Sequence, residues 1–98
     1  MTVDLLIVVS TDCSARVLVP LAKACRRAGV AWSCFFTNDG VKLLADDEVK
    51  NLMGAAARAI ACEYSWERFM GDSPCPVERG SQTDHSALVA DTATVVAT

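Results

Sequence analysis

The stretch that most constrains this chain is its opening run. Val3 to Val9 holds one charge, Asp4, among Val, Leu and Ile. Strict alternation would mark a strand with one wet face, whereas a nearly continuous branched run marks a strand covered on both faces. That pattern belongs to a parallel sheet between layers of helices. Ser10-Thr11-Asp12 then ends the strand with turn and cap chemistry. Parallel strands need long crossovers, so helices have to follow.

The rest of the chain supplies them. From Ser14 to Ala28, Val17, Leu18, Leu21, Ala22 and Cys25 recur at helical spacing. Lys23, Arg26 and Arg27 fall late, where the helix dipole favours cations, and Gly29 is a natural C-terminal cap. Val30 to Thr37 reads as a second strand, and Asn38-Asp39-Gly40 as its tight exit loop, with residues that tolerate left-handed backbone angles. Asp46, Asp47 and Glu48 open a helix whose apolar face is Val49, Leu52, Met53, Ala56 and Ala57. A short third strand spans Ala59 to Cys62, followed by a short helical stretch from Glu63. Asp72 to Pro76 is loop-forming because two prolines flank Cys75. Ser81 to Asp91 reads as a helix capped by Ser81 or Thr83, and Ala93 to Ala97 as a last strand. This order predicts an α/β fold: a mostly parallel sheet of about four to five strands, helices on both faces and right-handed crossovers. Residues 1–98 form one domain in this reading, with no repeat or linker.

Composition bounds the function. A hydrophobic content of 52% fits one core, which in a chain of this size buries roughly 65% of the unfolded surface. No apolar stretch approaches the length of a membrane span, and Thr2-Val3-Asp4 gives no basic flank for a signal peptide, so a cytoplasmic protein without a membrane span is expected. A net charge of -3 argues against direct nucleic-acid binding, which draws its affinity from Lys and Arg. Five cysteines without an export signal read as reduced thiols, and the odd number leaves one unpaired in any monomer.

Cys62 is the leading site residue. It ends the apolar Ala59-Ile60-Ala61 and opens the polar Glu63-Tyr64-Ser65-Trp66-Glu67-Arg68. A thiol at a strand-to-helix switch can meet unpaired backbone N–H groups, which favour its thiolate, and open α/β sheets place ligands at the carboxyl ends of their strands. A buried free cysteine finishing a core strand is the plainer alternative. Glu63 and Glu67 would act against the thiolate by raising its pKa. Cys13, beside the first helix start, and Cys75, in the Pro-flanked loop, are possible supporting thiols. Arg68 could offset the two glutamates or steer an anion, and the Asn38, Asp39 and Gly40 loop should border the same crevice. Cys25 and Cys34 fall on core stripes. Trp66 and Phe69, three apart, read as packing, and the single His85 as a surface residue.

Other chemistries fit poorly. Cys62 and Arg68 have the cysteine-x5-arginine spacing of phosphatase and rhodanese loops, but the bulky, acidic intervening residues would repel phosphate. A zinc site from Cys62, Cys75 and His85 lacks compact paired spacing, and no glycine-rich phosphate signature is present.

The Phe35-Phe36-Thr37-Asn38-Asp39-Gly40-Val41 segment, the strand ending in Cys62, Arg68 and the terminal Thr94-Val95-Val96 strand together resemble the DsrE/DsrF/TusD-like family of small sulfur-handling proteins, over Val3 to Val96. The resemblance implies a flavodoxin-like three-layer sandwich that forms homo- or hetero-oligomers, trimers or hexamers. It also implies a persulfide carried on Cys62, with sulfur donor and acceptor proteins as partners and no cofactor or metal. Residues 63–67 depart from the family pattern, which has small or basic residues there. The rival reading is a non-catalytic assembly or regulatory subunit of the same fold, its Cys62 purely structural.

Overall fold

Hydrogen bonding between branched, apolar strands organises the protein, seen here in a computed structural model that describes residues Val3 to Thr98; Thr2 lies outside them. Strands β1 (Val3–Val9), β2 (Trp32–Phe36), β3 (Arg58–Cys62), β4 (Glu78–Gly80) and β5 (Thr92–Ala97) form one five-stranded sheet in the order β4-β3-β2-β1-β5, and every pairing is parallel. Helices α1 (Ala15–Ala28), α2 (Asp47–Met53), α3 (Glu63–Met70) and α4 (Gln82–Ala90) connect them. The result is a flavodoxin-like three-layer α/β sandwich.

The layers are unequal. The connections from β1 to β2, β2 to β3 and β3 to β4 step the same way across the sheet, so right-handed crossovers put α1, α2 and α3 on one face. The return from β4 to β5 steps the other way and puts α4 alone on the opposite face. The cores reflect this division. On the thick face, Ile7, Val9, Trp32, Cys34, Phe36 and Ala61 pack with Leu18, Ala22, Val49, Leu52 and Trp66. On the thin face, Leu6, Phe35, Ile60 and Cys62 meet a single buried residue of α4, Leu88. Strand side chains alternate between faces, so Cys62 shares its face with Ile60 and not with Ala61.

Two stretches depart from the sequence reading. Asn38 to Ala45, expected to open as a tight loop, is a 3₁₀ helix whose Gly40, Val41, Leu43 and Leu44 are buried. Asn38 supplies the positive φ of that turn, 51°, and Gly40 is needed for a different reason. A Cβ on Gly40 would lie 2.1 Å from Val9 O, so only glycine lets this segment rest against the end of β1. Strand β4 was not expected at all. Its Glu-Arg-Gly sequence shows no apolar pattern because it is a short edge strand, held by pairing Ile60 with Glu78 and Cys62 with Gly80.

Candidate functional site

Cys62 is both the last residue of β3 and the N-cap of α3, with φ -58° and ψ 120°. A side-chain acceptor at an N-cap faces the N–H groups two and three residues on, here those of Tyr64 and Ser65. The sulfur completes no capping hydrogen bond of full geometry, so these groups act on it through their charge distribution. Burial pushes the thiol up. The N–H and hydroxyl of Ser65, the N–H of Tyr64 and the side-chain amide of Gln82 pull it down, and together they leave its pKa below the ordinary 9.0. Burial without such donors has the opposite result at Cys34 and Cys25, whose thiols are pushed up.

Each donor is itself braced. Ser65 is buried, and its Oγ accepts the Asn38 N–H at 2.9 Å, which leaves its own hydrogen free for the sulfur. Gln82 Nε2 lies 3.9 Å from Cys62 Sγ, and its Oε1 is 3.3 Å from His85 Nδ1. With the amide turned this way, His85 donates through Nδ1–H. The imidazole is in turn stacked on buried Phe35, with ring centroids 4.5 Å apart and planes 7° from parallel. His85, read from sequence as a surface residue, thus props the amide that faces the thiol.

These groups surround an open cleft of about 410 Å³ lined by Cys62, Glu63, Tyr64, Glu67, Gly80, Ser81 and Gln82. Ser81 starts α4 with a capping box, accepting from Thr83 N–H while Asp84 accepts the Ser81 N–H. Gly80 keeps this corner low, because a Cβ there would lie 2.7 Å from Ile60 Cγ2 and 2.8 Å from Asp84 Oδ2. Glu63 and Glu67 line the mouth as exposed carboxylates, where water screens them, and the thiol is lowered despite them.

Comparison with protein-family models, curated proteins and solved structures gives no match. What the site can do is therefore argued from its own residues.

Of the supporting residues expected from the sequence, Cys13, Cys75, Arg68 and the Asn38, Asp39 and Gly40 loop, none lines this cleft. Cys13 is exposed, its Sγ 3.8 Å from Asp12 Oδ1. Cys75 packs against the core of the thick face, across the sheet from Cys62. Arg68 is exposed on α3 and lies over the Phe69 ring, 5.2 Å from its centroid. The loop at Asn38, Asp39 and Gly40 reaches the site indirectly, through the Asn38 N–H held by Ser65. Trp66 is buried in the thick-face core and donates to Ser73 O at 2.8 Å, so it anchors α3 and does not cover the thiol. Among the described residues no three His, Cys, Asp or Glu side chains gather closely enough to hold a metal ion.

Ser65 and Gln82 escaped the sequence reading. Ser65 could have been found from the spacing alone, since it stands three residues after a proposed N-cap. Gln82 could not, because its place beside Cys62 depends on the unrecognised pairing of β4 with β3.

Proposed function

We propose that this protein is a small sulfur carrier, of the DsrE/DsrF/TusD-like kind that its sequence resembles, and that Cys62 holds the sulfur as a persulfide. One observation supports this above the others: Cys62, itself 6% exposed, is among the residues that line an open cleft, while Ser65, Tyr64 and Gln82 turn donors toward its sulfur. A thiolate is the attacking species in sulfur exchange, and an anion left on the carrier needs the same donors.

The exchange is balanced without a cofactor. The Cys62 thiolate attacks the outer sulfur of a donor persulfide, R–S–SH, forming a new S–S bond. The donor's S–S bond breaks and its electron pair leaves on R–S⁻. An acceptor thiolate then attacks the outer sulfur of the Cys62 persulfide and regenerates the Cys62 thiolate. Donor and acceptor proteins, and an oligomeric assembly, belong to this proposal. No helix of the described residues is long and apolar enough to cross a membrane.

The test is intact-protein mass spectrometry of wild type and Cys62→Ser after exposure to a persulfide donor. A gain of about 32 Da per sulfur atom, removed by reductant and absent from Cys62→Ser, is the expected outcome. No gain in the wild type, or an equal one in the variant, would favour the non-catalytic subunit with a structural Cys62.

A further inference from the structure

The cleft around Cys62 is charged on one side only. Glu63 is the first residue of α3 and Glu67 lies one turn on; both are exposed, and both line the cleft. Among the described residues no Lys or Arg lines it. The ion pairs among the described residues, Lys23–Glu48, Lys42–Asp39, Lys50–Asp47 and Arg58–Glu78, leave Glu63 and Glu67 without a partner. Arg79 lines the adjoining cleft with Glu67 and Asp72, so carboxylates outnumber guanidinium there too, and Arg68, next to Glu67 on α3, has its guanidinium over the Phe69 ring. Tyr64 stands between the two glutamates in sequence and is 71% exposed, a large aromatic surface with nothing on it.

We infer that the partner meeting Cys62 is a protein segment with Lys or Arg beside its own reactive cysteine, and that the mouth of the cleft disfavours small anionic sulfur compounds. This rests on the sulfur-carrier reading and narrows it. Two carboxylates beside a thiolate repel an incoming dianion and raise the local concentration of a cation. An open cleft flanked by an exposed tyrosine suits a macromolecular contact, since tyrosine is enriched among the residues that dominate binding energy at protein interfaces. The small or basic residues expected after the cysteine of carriers in the resembling family would select in the opposite sense.

Thiol–disulfide exchange at Cys62 tests this with three aliphatic disulfides that differ in charge: dicationic cystamine, neutral hydroxyethyl disulfide and dianionic dithiodiglycolate. Rates at Cys62 are read by peptide mass spectrometry on the full chain, each normalised to the urea-unfolded protein. Cystamine should outpace dithiodiglycolate by about tenfold at low ionic strength, from two carboxylates acting through largely aqueous surroundings. The ratio should fall toward unity near about 1 M salt and in the double variant Glu63→Gln, Glu67→Gln. A normalised ratio near unity in low salt, or one favouring the dianion, overturns the inference and leaves the carrier reading standing. Failure of all three reagents to modify Cys62 overturns both.

Discussion

Replacing Gly40 with Ala places a methyl group where the end of β1 already stands. The new Cβ would lie 2.1 Å from Val9 O and 2.6 Å from Val9 C, both backbone atoms that cannot rotate away. A carbon and a carbonyl oxygen normally stay about 3.3 Å apart, so the segment has to withdraw by about 1 Å. Withdrawal stretches the Thr37 N–H bond to Val9 O, now 2.9 Å, and lifts Val41 and Leu44 from a core in which they are almost wholly buried. Overpacking of this kind costs about 1–3 kcal/mol. A weakened hydrogen bond adds about 1 kcal/mol, while the gain in helix propensity returns about 1 kcal/mol at most. The net loss is about 1–3 kcal/mol. At about 4–8 °C per kcal/mol for a domain of this size, the melting temperature should drop by about 4–24 °C. Gly54→Ala is the matched control. Gly54 has φ -63° and ψ -21°, and its nearest contact to a new Cβ is Asn51 O at 3.4 Å. Alanine there should stabilise by about 0.4–1 kcal/mol. Urea and thermal unfolding followed by circular dichroism measure both. If Gly40→Ala lowers stability by less than about 1 kcal/mol, or costs no more than Gly54→Ala, the close approach of this segment to β1 is wrong.

The remaining predictions concern the thiol and the thin face. Iodoacetamide labelling of Cys62 against pH should have its midpoint below that of the urea-unfolded chain, and Ser65→Ala should move it upward; an unmoved midpoint would remove Ser65 from the site. The depressed Cys62 pKa also sets a sign for stability, because the unfolded state holds the proton more tightly. The stability advantage of wild type over Cys62→Ser should grow as pH rises through the window below 9.0, be complete above it, and be lost as pH falls through the folded value. Cys34, pushed up by burial, has the reverse sign, and its contribution should fall as pH rises above 9.0. A difference between wild type and Cys62→Ser that is flat with pH would contradict this. Leu88→Ala should cost about 2–4 kcal/mol and, since Leu88 is the one buried residue of α4, accelerate amide exchange in α4 well before that in α1. Uniform acceleration across both helices would show that α4 does not open by itself.

The fold was legible wherever burial on both faces left a continuous apolar run. β1 and β2 were found that way, and α1 and α2 by their stripes of Leu18, Ala22 and Cys25 and of Val49, Leu52 and Met53. Edge position hid β4, because the solvated Glu78 and Arg79 carry none of that signal. Asn38 to Ala45 was obscured by its own turn residues: Asn-Asp-Gly fits a tight loop, and only contact with Val9 shows why Gly40 is small. At the site, Cys62 was visible as a junction between two local patterns. Its donors were not, since Gln82 approaches from a helix twenty residues away in sequence, and the effect of Glu63 and Glu67 could not be weighed before their exposure was known.

The unequal covering of the sheet also bears on how such a protein can change over generations. Most of the large buried side chains lie between the sheet and α1, α2 and α3, where substitutions are felt as lost stability. The Cys62 sulfur lies on the other side, beside a helix with one buried residue and a largely solvent-facing surface. Changes at Gln82 and the exposed positions of α4 alter what the sulfur meets while leaving the main core untouched. Selection could therefore redirect such a protein to a new partner through a handful of surface substitutions, with the rest of the molecule acting as an unchanging chassis.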